Sequence, residues 1–396
     1  MDLSYGSEYE AFRQEVRQFI ETNRHRAPQG LAGIRSEGVL AWQKLLIENG
    51  YTARTIPKEY GGYGAEPDIL KSRIIAEEFA RDQVQPGLGG QGIAYLVPVL
   101  LELGTEEQKK RFIPPTLRGE MLWCEGYSEP NAGSDLASLR TSAVLDGDEW
   151  VVNGQKIWTG TAQFAHWMFC LVRSEPDAPK HRGISFLLFS MDTPGIEVRP
   201  LMTMTGEAEF NEVFFEDVRL PRDQIVGKRG EGWLVANRVL HHERGDLGDP
   251  NVALTRLNAL INLMKTKTVD GRGIIDNPVF RDRLMKIQGR IMALRFNDLR
   301  LLSARINKQD DTLAAMIVKL QGTEMRHDLE GLAIDALGEL GILYGEGGNM
   351  RASGSWQYFY MMYLGLIIGG GTSQIQKNII SERGLGMPRR AQTANQ

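Results

Sequence analysis

The segment Tyr127-Ser128-Glu129-Pro130-Asn131-Ala132-Gly133-Ser134-Asp135 decides the character of the middle of this chain. Small and hydroxyl-bearing residues follow a strand-like run, and such a loop leaves main-chain N–H groups for an anion such as a pyrophosphate. A Pro/Gly turn joining two strands accounts for the same residues and, on physics alone, is the simpler explanation. Further on, Asn153-Gly154-Gln155-Lys156-Ile157-Trp158-Thr159-Gly160 follows a strand with a turn and sets a large aromatic beside a hydroxyl. An indole packs well on a flat heterocycle, although a Trp in a β-domain is commonly core.

Outward from these segments the texture is β-rich. Between Met121 and Arg219, short runs at Trp150–Val152, Trp167–Val172, Ile184–Phe189 and Val213–Val218 are separated by Gly, Pro and Asp turns, which predicts a small all-β domain. On the amino-terminal side, Tyr9, Phe12, Val16 and Phe19 recur at helical spacing, and Leu40–Ile47, Ile69–Phe79 and Tyr95–Leu103 repeat the pattern. After Gly232 the helical period returns in Leu284, Ile287 and Ile291 and in Leu313, Met316, Ile317 and Leu320. Thr266–Pro278 is polar and is expected to be a loop, and Arg389–Gln396 a disordered tail. The expected organisation is an α+β multidomain chain: helical over 1–120, β-barrel-like over 121–232, and a four-helix bundle over 233–396.

Composition narrows the function. The 396 residues are 42% hydrophobic and can bury a large core, and 46 Lys+Arg against 50 Asp+Glu leave a formal charge of −4. That balance provides no general pull toward a phosphate backbone, so nucleic acid is not an expected partner. Cys124 and Cys170 sit in apolar runs and form neither a disulfide framework nor a zinc site. A reducing cytoplasm fits them. No stretch reaches the roughly 20 apolar residues a membrane span needs, and Met1–Phe12 lacks an apolar export region. His241 and His242 point about 100° apart on a helix, and no metal-ligand spacing appears, so no metal is expected.

The stretch Gly126–Thr161 resembles the flavin-binding β-domain of acyl-CoA dehydrogenases. The resemblance extends through Phe214–Pro221, Gly227–Trp233 in the pattern GxxGxGW, and Gly371-Thr372-Ser373-Gln374-Ile375-Gln376. It implies FAD as cofactor and the fold expected above. By carry-over, Tyr127 and Ser128 approach the isoalloxazine, Gly133 and Ser134 border the pyrophosphate, and Trp158 with Thr159 covers the ring near N5. Thr372 and Gln374 contact a cofactor from the far end of the bundle, and Ser134 also lies toward the substrate. Many relatives carry a hydroxyl two residues after the tryptophan. Here that position is Gly160, so a contact to N5 falls to the main chain, Thr159 or Thr161.

The family reaction needs a carboxylate near the substrate's α-carbon, and the commoner position for it is the residue before the Gly-Thr of the carboxyl-terminal motif. That residue is Gly370, which carries no base. The alternative resembles members that act on branched or bulky acyl groups, where Glu precedes Arg on the first bundle helix. Here it is Glu243, followed by Arg244. Spacing supports it independently, since Leu240, Val239 and Ala236 lie three, four and seven residues before Glu243, on one helix face. Burial there would raise a Glu pKa from about 4.3 toward neutrality, as a general base requires, whereas a buried Glu paired with Arg244 would be purely structural. The implied reaction is α,β-dehydrogenation of an acyl-CoA thioester, Glu243 taking the α-proton and hydride passing to flavin N5. Arg244 and the main chain of Gly370 and Gly371 would meet the thioester. The volume freed at Gly370 suits a branched, cyclic or steroid-derived acyl group.

In the family a neighbouring subunit covers the FAD with an Arg and a Phe three apart, ahead of a Gln. Phe280 and Gln288 keep the spacing, but Asn277 stands for the Arg, and Asp335, Gly338 and Glu339 replace Gln, Gly and Gly. Arg281 or Arg283 could substitute at the phosphates. The resemblance implies a homotetramer or a mixed tetramer with a related subunit, and an electron-transferring flavoprotein as acceptor. An oxygen-using acyl-CoA oxidase or flavin monooxygenase, and a non-catalytic partner subunit, are the competing expectations.

Overall fold

A computed structural model describes residues 6–28, 36–266, 268–269, 271–309, 312–345 and 352–388. The tail Arg389–Gln396 lies outside them. The chain divides into two compact units: residues 1–203 with 208–240, and residues 204–207 with 241–396.

The first unit begins with helices α1 (Ser7–Asn23), α2 (Glu37–Glu48) and α3 (Ile69–Arg81), whose apolar faces meet around Val16, Ile20, Trp42, Leu46, Ile74 and Phe79. The run at Tyr95–Leu103 becomes a π-helical turn over Gly92–Leu96 followed by α4 (Val97–Leu103). Helix α5 (Glu106–Leu117) starts at a reciprocal capping box between Thr105 and Gln108. Its Phe112, Ile113 and Leu117 face the sheet.

That sheet has seven strands: β1 (Trp123–Gly126), β2 (Ser142–Asp146), β3 (Glu149–Gly160), β4 (Trp167–Arg173), β5 (Ile184–Ser190), β6 (Ile196–Leu201) and β7 (Phe210–Pro221). Their order is β1-β4-β2-β3-β7-β6, with β5 on β4. Both faces of β4 are covered. Phe169 and Leu171 join α4 and α5 in one core, while Met168, Cys170 and Val172 join Trp150, Val213 and Phe215 in another. Period-two alternation therefore buries every second residue on a different side, and β4 reads as a continuous apolar run. The four predicted runs fall in β3, β4, β5 and β7. The segment Asn153–Gly160, expected to turn, instead continues as strand paired with β7, with irregularities between Val152 and Gly154 and between Lys156 and Thr159.

Helix α6 (Gly232–Leu247) buries Val235, Ala236 and Val239 in the first unit, and its turns from His241 count with the second. The second unit packs α7 (Pro250–Thr266), α8 (Pro278–Ile306), α9 (Thr312–Leu337) and α10 (Ser355–Ile368) around Leu257, Leu260, Ile291, Leu329, Leu332 and Trp356. This is the expected bundle, closed by the short helix α11 (Ser373–Ile379). On α9 the predicted face is partly rotated: Leu313 is exposed, and Ala314, Lys319 and Leu320 are buried. The expected loop Thr266–Pro278 holds a two-residue hairpin and a 3₁₀ turn over Ile274–Asp276 among its described residues.

Candidate active site

In the first unit, β1 delivers the chain into the Tyr127–Asp135 segment. Tyr127 is buried edge-on against Phe169 and Phe186, with centroids 6.0 and 6.4 Å away. Glu129 and Ala132 exchange main-chain hydrogen bonds and close a tight turn. The Glu129 carboxylate accepts from the N–H groups of Arg140 (2.6 Å) and Thr141 (2.9 Å) and from Lys156 Nζ (2.8 Å). Lys156, fully buried, also donates to the Tyr127 carbonyl at 3.0 Å. Burial pushes the Glu129 carboxyl upward, but the Lys156 charge and these donors outweigh it and hold the pKa below the usual value. One ion pair thus ties the two sequence motifs together. Its only trace in the sequence is an acid in one motif and a base in the other, and neither stands out alone.

Gly133 and Ser134 are exposed, and nothing lies near a Cβ placed on Gly133. Ser128 gives its carbonyl to the Ile157 N–H. The irregularity between Lys156 and Thr159 coincides with a left-handed Trp158, φ 62°, a costly conformation for a bulky residue. It turns the indole outward, 59% exposed and edge-on to Phe210. Thr159 faces the interior, fully buried, and its Oγ1 has no partner among the described residues. A ring lying on Trp158 would therefore meet Thr159 through its main chain. Thr161 Oγ1 donates to the Gly160 carbonyl. Gly160 itself has room: a Cβ added there would lie 3.7 Å from Gln91 Nε2 and 4.0 Å from Phe210 Cε1.

In the second unit, Glu243, half-buried on α6, faces the carboxyl-terminal motif. A Cβ on Gly370 would lie 3.5 Å from Glu243 Oε1 and 2.9 Å from Leu247 Cδ1. Gly370 and Gly371 have φ of 63° and 99°, which favour glycine. The Gly370 carbonyl accepts from Arg244 Nε (3.1 Å) and Gln376 Nε2 (3.0 Å). Burial pulls the Arg244 guanidinium down, with Glu243 opposing. Thr372 caps α11 by accepting from the Ile375 N–H, while Gln374 is exposed. Lys319, which belongs to no sequence motif, is 2% exposed and donates to the carbonyls of Ile367 (2.9 Å) and Gly371 (2.7 Å). Its only signal is a lone cation inside Ala314-Ala315-Met316-Ile317-Val318-Lys319-Leu320.

The positions expected at a subunit interface are also accounted for locally. Asn277 is the N-cap of α8, accepting from the Val279 N–H at 2.9 Å. Phe280 packs against the bundle core, and Gln288 is half-buried on the same helix. Arg283 is engaged by Asp335 at 2.7 Å.

Comparison with known proteins decides what this arrangement belongs to. Family models for the acyl-CoA dehydrogenase N-terminal, middle and C-terminal domains match residues 6–120, 124–218 and 230–385. The chain belongs to the acyl-CoA dehydrogenase family. It is accordingly an oxidoreductase with acyl-CoA dehydrogenase activity, in a family whose members typically bind FAD. Acyl-CoA dehydrogenase IpdE1 of Mycobacterium tuberculosis (strain ATCC 25618 / H37Rv) is 37% identical, over 96% of this chain and 98% of the relative. Acyl-CoA dehydrogenase FadE26 of the same organism is 31% identical, over 98% and 99%. Among solved structures, the ChsE4-ChsE5 complex from Mycobacterium tuberculosis is similar at a TM-score of 0.81 and 31% identity, covering 98% of this chain and 100% of that one. A "Tcur3481-Tcur3483 steroid ACAD" matches at 0.81 and 29%, with the same coverage. Among the described residues no helix is long and apolar enough to cross a membrane, and no three His, Cys, Asp or Glu side chains cluster as metal ligands.

Proposed function

We propose that this acyl-CoA dehydrogenase acts on a bulky, steroid-derived acyl-CoA, with Glu243 as the base that takes the α-proton. One observation carries the assignment: the Glu243 carboxylate lies 3.5 Å from the point where a side chain on Gly370 would begin. A carboxylate from α6 thus reaches the place that a base on the carboxyl-terminal motif would occupy. Arg244 and Gln376 hold the Gly370 carbonyl, so the peptide it belongs to has a fixed direction. The Gly371 N–H, on the opposite side of that peptide, is the donor for the thioester oxygen as charge develops there. Gly370 sets no second side chain beside the base, but Leu247 Cδ1, 2.9 Å from the point where one would begin, takes up the volume that the sequence alone assigned to the acyl group there. The name of one similar structure, a steroid ACAD, supports an acyl group of that class.

The residues of the β-domain suit FAD. A bulged strand holds Trp158 outward as a flat apolar face, and the exposed, open Gly133–Ser134 segment suits a pyrophosphate. When bound, FAD accepts the β-hydrogen as hydride. Tyr127 and Ser128 border the same strand end, and Phe280, Gln288, Thr372 and Gln374 are proposed to serve the cofactor of a neighbouring subunit. Asn277 and the Arg283–Asp335 pair leave that surface short of a free cation at these two positions, which favours a mixed tetramer in which a related subunit supplies one. The acceptor is proposed to be an electron-transferring flavoprotein.

The test is anaerobic addition of steroid side-chain and straight-chain acyl-CoA thioesters to the flavin-loaded protein, read as bleaching of the flavin band. The bulky thioester should bleach faster, and Glu243→Gln should slow bleaching by about 10³-fold or more without loss of flavin. Faster turnover of straight chains would remove the substrate assignment. An unimpaired Glu243→Gln protein would remove the base.

A further inference from the structure

We infer that Lys319 is a positioning residue that locks the Gly370–Gly371 turn so that its main-chain N–H groups polarise the substrate thioester, an inference that rests on the site proposed above. Lys319 projects from α9, a different helix from the one bearing the base. Its ammonium bridges Ile367, near the end of α10, to Gly371, just before α11. The residues between these two anchors are Ile368, Gly369 and Gly370, and two consecutive left-handed glycines, Gly370 and Gly371, form the turn. Glycine is the most flexible residue in the chain, so a turn made of glycines keeps one direction only if something outside it fixes its peptides. Arg244 and Gln376 fix the carbonyl of Gly370, and Lys319 fixes the next one.

In a trans peptide the C=O and N–H point in opposite directions. The Gly370 and Gly371 carbonyls, drawn onto cationic and amide donors, therefore send the N–H groups of Gly371 and Thr372 the other way. Among the described residues the Gly371 and Thr372 N–H groups meet no main-chain acceptor. A hydrogen bond accepted by a peptide carbonyl also strengthens the donor of the same peptide. Lys319 thus acts on the thioester without touching it.

Among the described residues no side-chain carboxylate forms an ion pair with Lys319, and burial of that kind is an expensive setting for an ammonium. Burial draws the Lys319 pKa down to about 8, with Glu243 from α6 opposing, Arg244 from α6 adding to the fall, and Glu324 on its own helix opposing. Carbonyls and Glu243 hold a cation there that an apolar side chain could replace at lower cost, which is what a functional lysine looks like.

The experiment is infrared difference spectroscopy of the flavin-containing protein with cyclohex-1-ene-carbonyl-CoA, labelled with ¹³C at the thioester carbon. In the wild type the labelled carbonyl stretch should fall below its solution frequency. In Lys319→Met the thioester should still bind, with roughly half or more of that fall lost and kcat/KM reduced about 10- to 100-fold. A Lys319→Met protein that binds with the full wild-type fall overturns the inference. A wild type that shows no fall removes the site reading beneath it. If Lys319→Met does not fold, the wild type decides: the fall should shrink between about pH 7 and about pH 9.5, as the ammonium loses its proton, and persist in doing so in Glu243→Gln. A fall unchanged across that range overturns the inference.

Discussion

Glu243 could be found from sequence because two facts coincide, an acid on the face defined by Ala236, Val239 and Leu240, and an empty side-chain position at Gly370. Both are local properties of composition and spacing. Lys319 could not be found that way, because its partners are carbonyls, and every residue has one. A lone Lys in an apolar helical run is ordinarily one whose stem lies on the surface with its head in water. Gly160 is intermediate. The sequence shows a missing hydroxyl, and only the surroundings show that one would fit. With its nearest neighbours at 3.7 and 4.0 Å and no left-handed backbone, Gly160→Ser should leave thermal stability within about 0.5 kcal/mol of wild type. If a hydroxyl there serves flavin N5 as in relatives, stopped-flow flavin reduction should quicken. A slower variant with unchanged stability would show that this chain uses the main chain instead.

At the scale of elements, the long strand β3 explains why the second motif reads as a turn in the sequence alone. Asn and two Gly are turn-forming by propensity, yet pairing with β7 holds them in the strand, and the surplus of residues goes into irregularities rather than a reversal. Tertiary pairing overrides local preference at the place where Trp158 is aimed outward. The anchor beneath is Lys156–Glu129, and cutting it leaves the remaining charge buried. Lys156→Met should lower unfolding free energy by about 3–5 kcal/mol and release the flavin, measured by denaturant melts and retained absorbance. Glu129 has a depressed pKa in the folded protein, so its contribution is present above the unfolded value of about 4.3 and disappears as pH falls through the folded one. Glu129→Gln should accordingly narrow the gap in stability from wild type as the pH drops below about 4.3. A gap that is constant from neutral pH into acid would show that the ion pair carries no charge-dependent stability.

For the whole molecule, the alternation of textures along the chain, helical, then β, then helical, was legible because 3.6- and 2-residue periods are written in the sequence itself. The way the second unit's surface is specialised was legible only as departures from family pattern, and the structure gives two of them a local occupation: Asn277 caps a helix, and Asp335 holds Arg283. Restoring a cation with Asn277→Arg should cost about 1 kcal/mol of helix capping yet raise the flavin retained by the chain expressed alone. Unchanged flavin content would place the missing cation elsewhere. Co-expression with a related subunit should raise it without any mutation. Cofactor content need not be followed by flavin absorbance alone. Of the seven tryptophans, Trp42, Trp123, Trp150 and Trp356 are buried, Trp167 and Trp233 are half-buried, and Trp158 alone stands open. The bulge that aims this indole outward also makes it the lamp that an aqueous quencher reaches first, so acrylamide extinguishes its emission in the empty protein and is shut out once a flat ring settles over it.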